Sequence, residues 1–171
     1  MDLVDYTIPT ILRVAKGSDS SRMNKRTSYS SYRLVGVDTN ELRRSGDLVL
    51  QFEVKSPEDS YKVSLKLLGY QLYYDIYYQN TNNIYSAINK ALEWSLKNAD
   101  IKVNCTCPDF KYRFAYVATQ HDYKYGDPET RPAKVRNPNN KGRVCKHILA
   151  VLMRPSNYTR KLESILYKFY N

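Results

Sequence analysis

Two close pairs of metal-binding side chains, Cys105-Thr-Cys107 and Cys145-Lys-His147, bracket a stretch of 37 residues in a chain whose only thiols are those three cysteines. An odd number of cysteines leaves one over in any disulfide scheme, and a bridge between Cys105 and Cys107 would close a very small, strained ring. Three thiolates and one imidazole instead make a tetrahedral shell suited to zinc. Residues two apart at a strand end point to the same side, and two apart at the mouth of a helix they can converge. Pro108 after the first pair and Gly142 before the second supply the turns. Four protein ligands leave no open position for a substrate water, so the expected Zn2+ is structural and not catalytic. Asp109 and Lys146 adjoin the ligands and are expected to support them from outside the shell. His121, in the intervening stretch, reads as a surface histidine.

Hydrophobic periodicity places this clamp at the end of an α+β chain. Leu48, Leu50, Phe52 and Val54 alternate with polar or smaller residues, and so do Tyr61, Val63, Leu65 and Leu67 after the turn at Lys55 to Ser60. The pair predicts an antiparallel hairpin with one apolar face. Tyr32 to Asp38 is expected to be a third strand. The tyrosine-rich run Tyr70 to Tyr78 reads as a fourth strand, an edge or a loop. Residues 82–97 carry a helical stripe (Ile84, Ile88, Ala91, Leu92, Ser95) that Thr81 or Asn82 can cap. Ile101, Val103 and Cys105 alternate again. A short helix is expected from Pro108, presenting Phe110, Phe114 and Val117, followed by a long loop over 119–142, a helix from Arg143 to Leu152, and a last helix capped by Ser156. The expected organisation is an N-terminal arm (1–30), a sheet-and-helix domain (31–100), a zinc finger (101–154) and a C-terminal helix (155–171).

Charge is distributed unevenly. Residues 1–100 hold 13 Lys and Arg against 12 Asp and Glu, whereas residues 101–171 hold 14 against 5. The excess lies with the cysteines: Lys111, Arg113, Lys124, Arg131, Lys134, Arg136, Lys141 and Arg143 form a candidate surface for phosphates or for an acidic protein face. A merely solvated basic face is the alternative. The chain has 17 Tyr against 4 Phe and 1 Trp, a composition that suits interfaces and base stacking as well as half-exposed sheet faces. No apolar run approaches the ~20 residues that cross a bilayer. The N-terminal residues carry acids where a signal peptide needs basic ones, so a soluble protein of intracellular origin, without membrane contact, is expected. No glycine-rich phosphate loop and no free nucleophile-base pair stands out, so the chain is not expected to be an enzyme.

The segment Cys105-Thr-Cys107-Pro-Asp-Phe110 … Cys145-Lys-His147-Ile-Leu-Ala resembles a SWIM-type zinc finger, C-x-C followed after a variable insert by C-x-H, over roughly residues 101–153. All four ligand positions are present, and the insert is longer than in the commonest members. The strings CPDFKYRFAYVA and RNPNNKGRVCKHILAVL, with the preceding hairpin, are similar to small virion proteins of tailed bacteriophages. That resemblance implies a structural role in the head, portal or neck (head–tail connector). It further implies a ring-like homo-oligomer contacting other virion proteins and assembling in the host cytoplasm. A DNA-binding accessory protein that uses the basic surface is the alternative expectation.

Overall fold

The alternating segments become the centre of a four-stranded antiparallel sheet in a computed structural model that describes residues 6–18 (backbone only for 16–18), 31–57, 59–135, 137, 139–140 and 142–171. The elements run α1 (Ile8–Ser18), β1 (Ser31–Asp38), α2 (Thr39–Ser45), β2 (Leu48–Lys55), β3 (Ser60–Leu67), α3 (Tyr70–Thr81) and α4 (Ile84–Asn98). Then follow β4 (Ile101–Cys105), a π-helical turn (Phe110–Phe114) that continues as α5 (Ala115–Gln120), α6 (Lys146–Met153) and α7 (Ser156–Tyr170). The strand order is β1-β2-β3-β4, and the fold is α+β as expected.

The register follows the apolar alternation. Leu50 opposes Leu65 and Phe52 opposes Val63 across β2 and β3, while Leu65 opposes Val103 and Val63 opposes Cys105 across β3 and β4. A slip of one residue would turn each of these side chains to the other face, so burial of one face holds the register. The bulge between Leu34 and Gly36 in β1 leaves Val35 as the extra, half-exposed residue.

The run Tyr70 to Tyr78, read as a strand, an edge or a loop, is instead helical. Its buried tyrosines, Tyr70 and Tyr74, stand four apart, and the Tyr74 ring stacks on Tyr170 of α7 at 3.7 Å and on Tyr78 at 5.8 Å. Tyr73 stacks on Trp94 of α4. These contacts repeat with the helical period, which overrides the strand preference of tyrosine. The α3–α4 turn is made by Asn82 in the left-handed conformation (φ 47°) and Asn83, whose side chain accepts the Ser86 N–H. Asn83, rather than Thr81 or Asn82, is therefore the cap of the helix predicted over 82–97. Likewise Ser156 does not cap the last helix. It lies inside α7, behind Pro155, and no side chain caps that end.

The apolar N-terminal segment packs onto the domain. Thr7 Oγ1 accepts the Thr10 N–H, Tyr6 O accepts the Ile101 N–H, and Ile8, Ile11 and Ala15 are buried in the same cluster that takes in Leu65, Ile148 and Leu166. The basic, serine-rich part of the expected arm, residues 19–30, lies outside the described residues.

On the outward face of the sheet, Lys66 Nζ bridges Glu41 (2.8 Å) and Asp47 (2.9 Å), with all three side chains mostly shielded from solvent. The hydrogen bond from Lys66, with those from Arg44 and Ser45, holds the Glu41 carboxyl at about 2, below its ordinary 4.5. A lowered carboxyl stabilises the fold above its unfolded value and stops doing so as pH falls toward the folded one. The melting-point gap between the native chain and Glu41→Gln should therefore be full above about pH 5 and close as pH falls toward 2.5. A gap that widened on acidification would contradict this linkage.

No helix among the described residues is long and apolar enough to cross a membrane.

Candidate metal centre and basic groove

Strand pairing aims the first ligand pair. Thr106 continues the β3–β4 ladder, donating its N–H to Lys62 O (3.0 Å) while its Oγ1 accepts the Lys62 N–H (2.9 Å). With Thr106 turned outward, Cys105 and Cys107 on either side of it are buried. A helix then begins at Pro108, as predicted; in its first turn the Phe110 N–H donates to Cys107 Sγ (3.3 Å), and just ahead of it the Cys107 N–H donates to Cys105 Sγ (3.5 Å). Such bonds favour thiolate over thiol.

The second pair opens α6. The helix starts at Lys146, three residues later than predicted from Arg143, because Cys145 is extended (φ −78°, ψ 167°) at the N-cap position. That kink lets Cys145 and His147 converge where a continuous helix would separate them. Val144, Cys145, His147 and every residue from Ile148 to Leu152 are buried, so the second pair rides on an element anchored along its whole length.

The four donor atoms lie within 4.8 Å of one another, and all four residues are buried. Cys105 Sγ is 3.8 Å from His147 Nδ1. Metal–sulfur and metal–nitrogen bonds of zinc length would put such atoms about 3.6 Å apart around a tetrahedron. His147 Nε2 is also buried and has no hydrogen-bond partner among the described residues, and the Tyr61 ring covers the imidazole at 4.7 Å. Between them the three thiols can hold little negative charge. The hydrogen bond shared with Cys107 pushes the Cys105 thiol up to about 12 and draws the Cys107 thiol down, while burial raises Cys145 well above its ordinary value. Three sulfurs and a nitrogen in one dry pocket are a donor set that a divalent cation fits, because its charge allows all three thiolates to form together. The four residues can hold a metal ion.

The chain matches no protein-family model, no curated protein and no solved structure. The centre therefore rests on its own geometry.

One of the predicted neighbours of the centre acts elsewhere. Asp109 pairs with Arg113 (2.7 Å), one turn along the helix, and not with a ligand. His121 is exposed, as expected, beside the Tyr6 ring at 5.6 Å. The stretch 119–142, expected as a loop, begins after Gln120 and is fixed at several points besides the ligand pairs. Tyr123 O accepts the Val103 N–H and Val103 O accepts the Tyr125 N–H, both along the edge of β4, and the buried Tyr123 hydroxyl donates to Arg143 O. Asn137, in the left-handed conformation (φ 71°), donates from Nδ2 to Arg113 O and accepts the Gly142 N–H on Oδ1. The Asn137-Pro dipeptide was the available sequence signal for this turn. Its partner on the π-helical turn was not readable from spacing.

The basic residues divide. Lys111, Arg113, Arg131 and Lys134 line one groove of about 560 Å³, together with Tyr112 and Val135. Lys124 and Arg143 lie outside that lining and are each spent on a backbone carbonyl, of Tyr125 and Asn140 respectively. Arg136 and Lys141 lie outside the described residues.

Proposed function

We propose that the cluster holds a structural zinc ion and that the chain is a non-enzymatic structural protein of a tailed-bacteriophage virion, in the portal or neck region. One observation carries the first part: a closed, buried set of three sulfurs and one nitrogen that uses every cysteine of the chain. A catalytic zinc needs a position open to substrate, whereas a four-ligand shell sealed under Tyr61 serves to hold two strands of chain together. The SWIM-like order of the ligands and the phage-like strings around them support the second part. A ring of copies, contacting other virion proteins and assembled in the host cytoplasm, goes with it.

Peptide mass spectrometry of gradient-purified particles tests the placement. The chain should be present at a constant ratio to the portal protein, and its absence from particles would sink the virion reading while leaving the zinc intact. Elemental analysis of the purified chain should give one zinc per molecule.

The alternative, a DNA-binding accessory protein, draws on a specific observation, the clustering of four basic residues around one groove.

A further inference from the structure

We infer that this groove is a binding site for single-stranded nucleic acid, with Tyr112 stacking on a base and Lys111 and Lys134 contacting phosphates. It does not depend on membership of a virion. The cavity, about 560 Å³, has room for a nucleotide unit and is too small for a folded partner.

Its charges are unequal in availability. Arg113 is tied to Asp109 at 2.7 Å and Arg131 to Glu129 at 2.9 Å, so these pairs shape the walls and nearly cancel. Lys111 and Lys134 are exposed and have no carboxylate partner among the described residues, which leaves the lining with two uncommitted cations.

Between them the surface is apolar in an unusual place. Tyr112 is 64% exposed and Val135 87% exposed, although both belong to a segment held by Asn137 and the π-helical turn. The wider turn of a π-helix reduces the angle between successive side chains, which brings Lys111, Tyr112 and Arg113 to one groove. Lys111 Nζ stands 5.4 Å from the Tyr112 ring centroid, so cation and stacking face form one unit.

An exposed aromatic beside cations is the combination that grips an unstacked base and its phosphate. An acidic peptide would use the lysines but leave Tyr112 and Val135 against water. A duplex hides its base faces inside the stack, and its convex backbone does not enter a concave site.

The test is fluorescence anisotropy of a labelled 20-mer of deoxythymidine with the full, metal-loaded chain. Tyr112→Ala should weaken binding about tenfold while Tyr112→Phe keeps it. The Lys111→Ala, Lys134→Ala double variant should flatten the log–log salt dependence by about 1.4, two phosphates' worth. All the substituted positions are exposed, and circular dichroism melts of each variant should overlay the native curve. Absence of 20-mer binding at low salt, or indifference to Tyr112→Ala, would overturn the proposal. So would displacement by duplex DNA, thymidine monophosphate or polyglutamate as effective as by unlabelled 20-mer; these outcomes would assign the groove to duplex, free nucleotide or acidic protein.

Discussion

Cys107→Ser and His147→Ala should each lose the bound metal and lower the melting point by at least about 6 °C, a cost on the order of 3 kcal/mol for a chain of this size. Structural zinc contributes apparent binding free energies of roughly 10–16 kcal/mol, comparable to the whole stability of a domain. The loss should be smaller here because the sheet and the α3, α4 and α7 helices bury their own apolar faces in a core that extends away from the ligands. What should loosen first is the part the ligands tie together, the turn at Cys107 and the mouth of α6, while Tyr123 and Asn137 keep their own bonds to Val103 and Arg113. Hydrogen exchange should accelerate there before it does in β2 and β3, whose inward side chains, from Leu48 to Val54 and from Val63 to Leu67, are fully buried. A strong chelator should reproduce the loss in the native chain and add nothing to either variant. Stoichiometric metal retained by both variants would refute the ligand set.

Gly142→Ala should destabilise by about 1–3 kcal/mol through overpacking, although a methyl is the smallest side chain that can be added. A Cβ at this position would stand 2.5 Å from Cε1 of Phe114, an approach that real Cβ atoms do not make. Neither side can yield cheaply. Phe114 is buried at 6% exposure on the π-helical turn, and the Gly142 N–H is held by Asn137 Oδ1 at 3.0 Å. The strain therefore passes to the irregular segment that delivers Cys145. Shortening the obstacle should relieve it: Gly142→Ala with Phe114→Leu should be more stable than the sum of the two single effects, a coupling that denaturant midpoints resolve. Strict additivity, or a single-variant cost below about 0.3 kcal/mol, would show that the ring moves aside freely.

The contrast between Gly142 and Tyr70 to Tyr78 indicates where a linear reading reaches its limit. Gly142 reads as a turn former beside the second ligand pair, but its close contact is with a residue 28 positions earlier in the chain. The tyrosine run reads by composition as a strand, an edge or a loop, and only its stacking partners, Trp94 and Tyr170, decide for a helix. Boundary errors at Asn83, Cys145 and Ser156 have a similar origin. Several residues near each end can cap a helix, and the direction of the incoming chain selects one.

The basic stretch shows the same limit in function. Eight cations looked equivalent by charge, yet Lys124 and Arg143 are spent on backbone carbonyls, and Arg113 and Arg131 on neighbouring acids. Tyr112, the most exposed tyrosine of that segment, is not distinguished by sequence from the other tyrosines that could stack on a base.

The identity of the four possible ligands, the α+β class and the central hairpin were all readable from the chain alone. They follow from side-chain chemistry and from a period of two, which neighbours in sequence carry between them. The four ligands' convergence was an inference from residue type until β4, the Thr106 ladder and the kinked start of α6 brought their donor atoms within 4.8 Å. That closure, and the groove assembled from residues on either side of a 15-residue gap between Arg113 and Glu129, depend on contacts between distant segments. Packing free energy sets such contacts, and no local pattern encodes them.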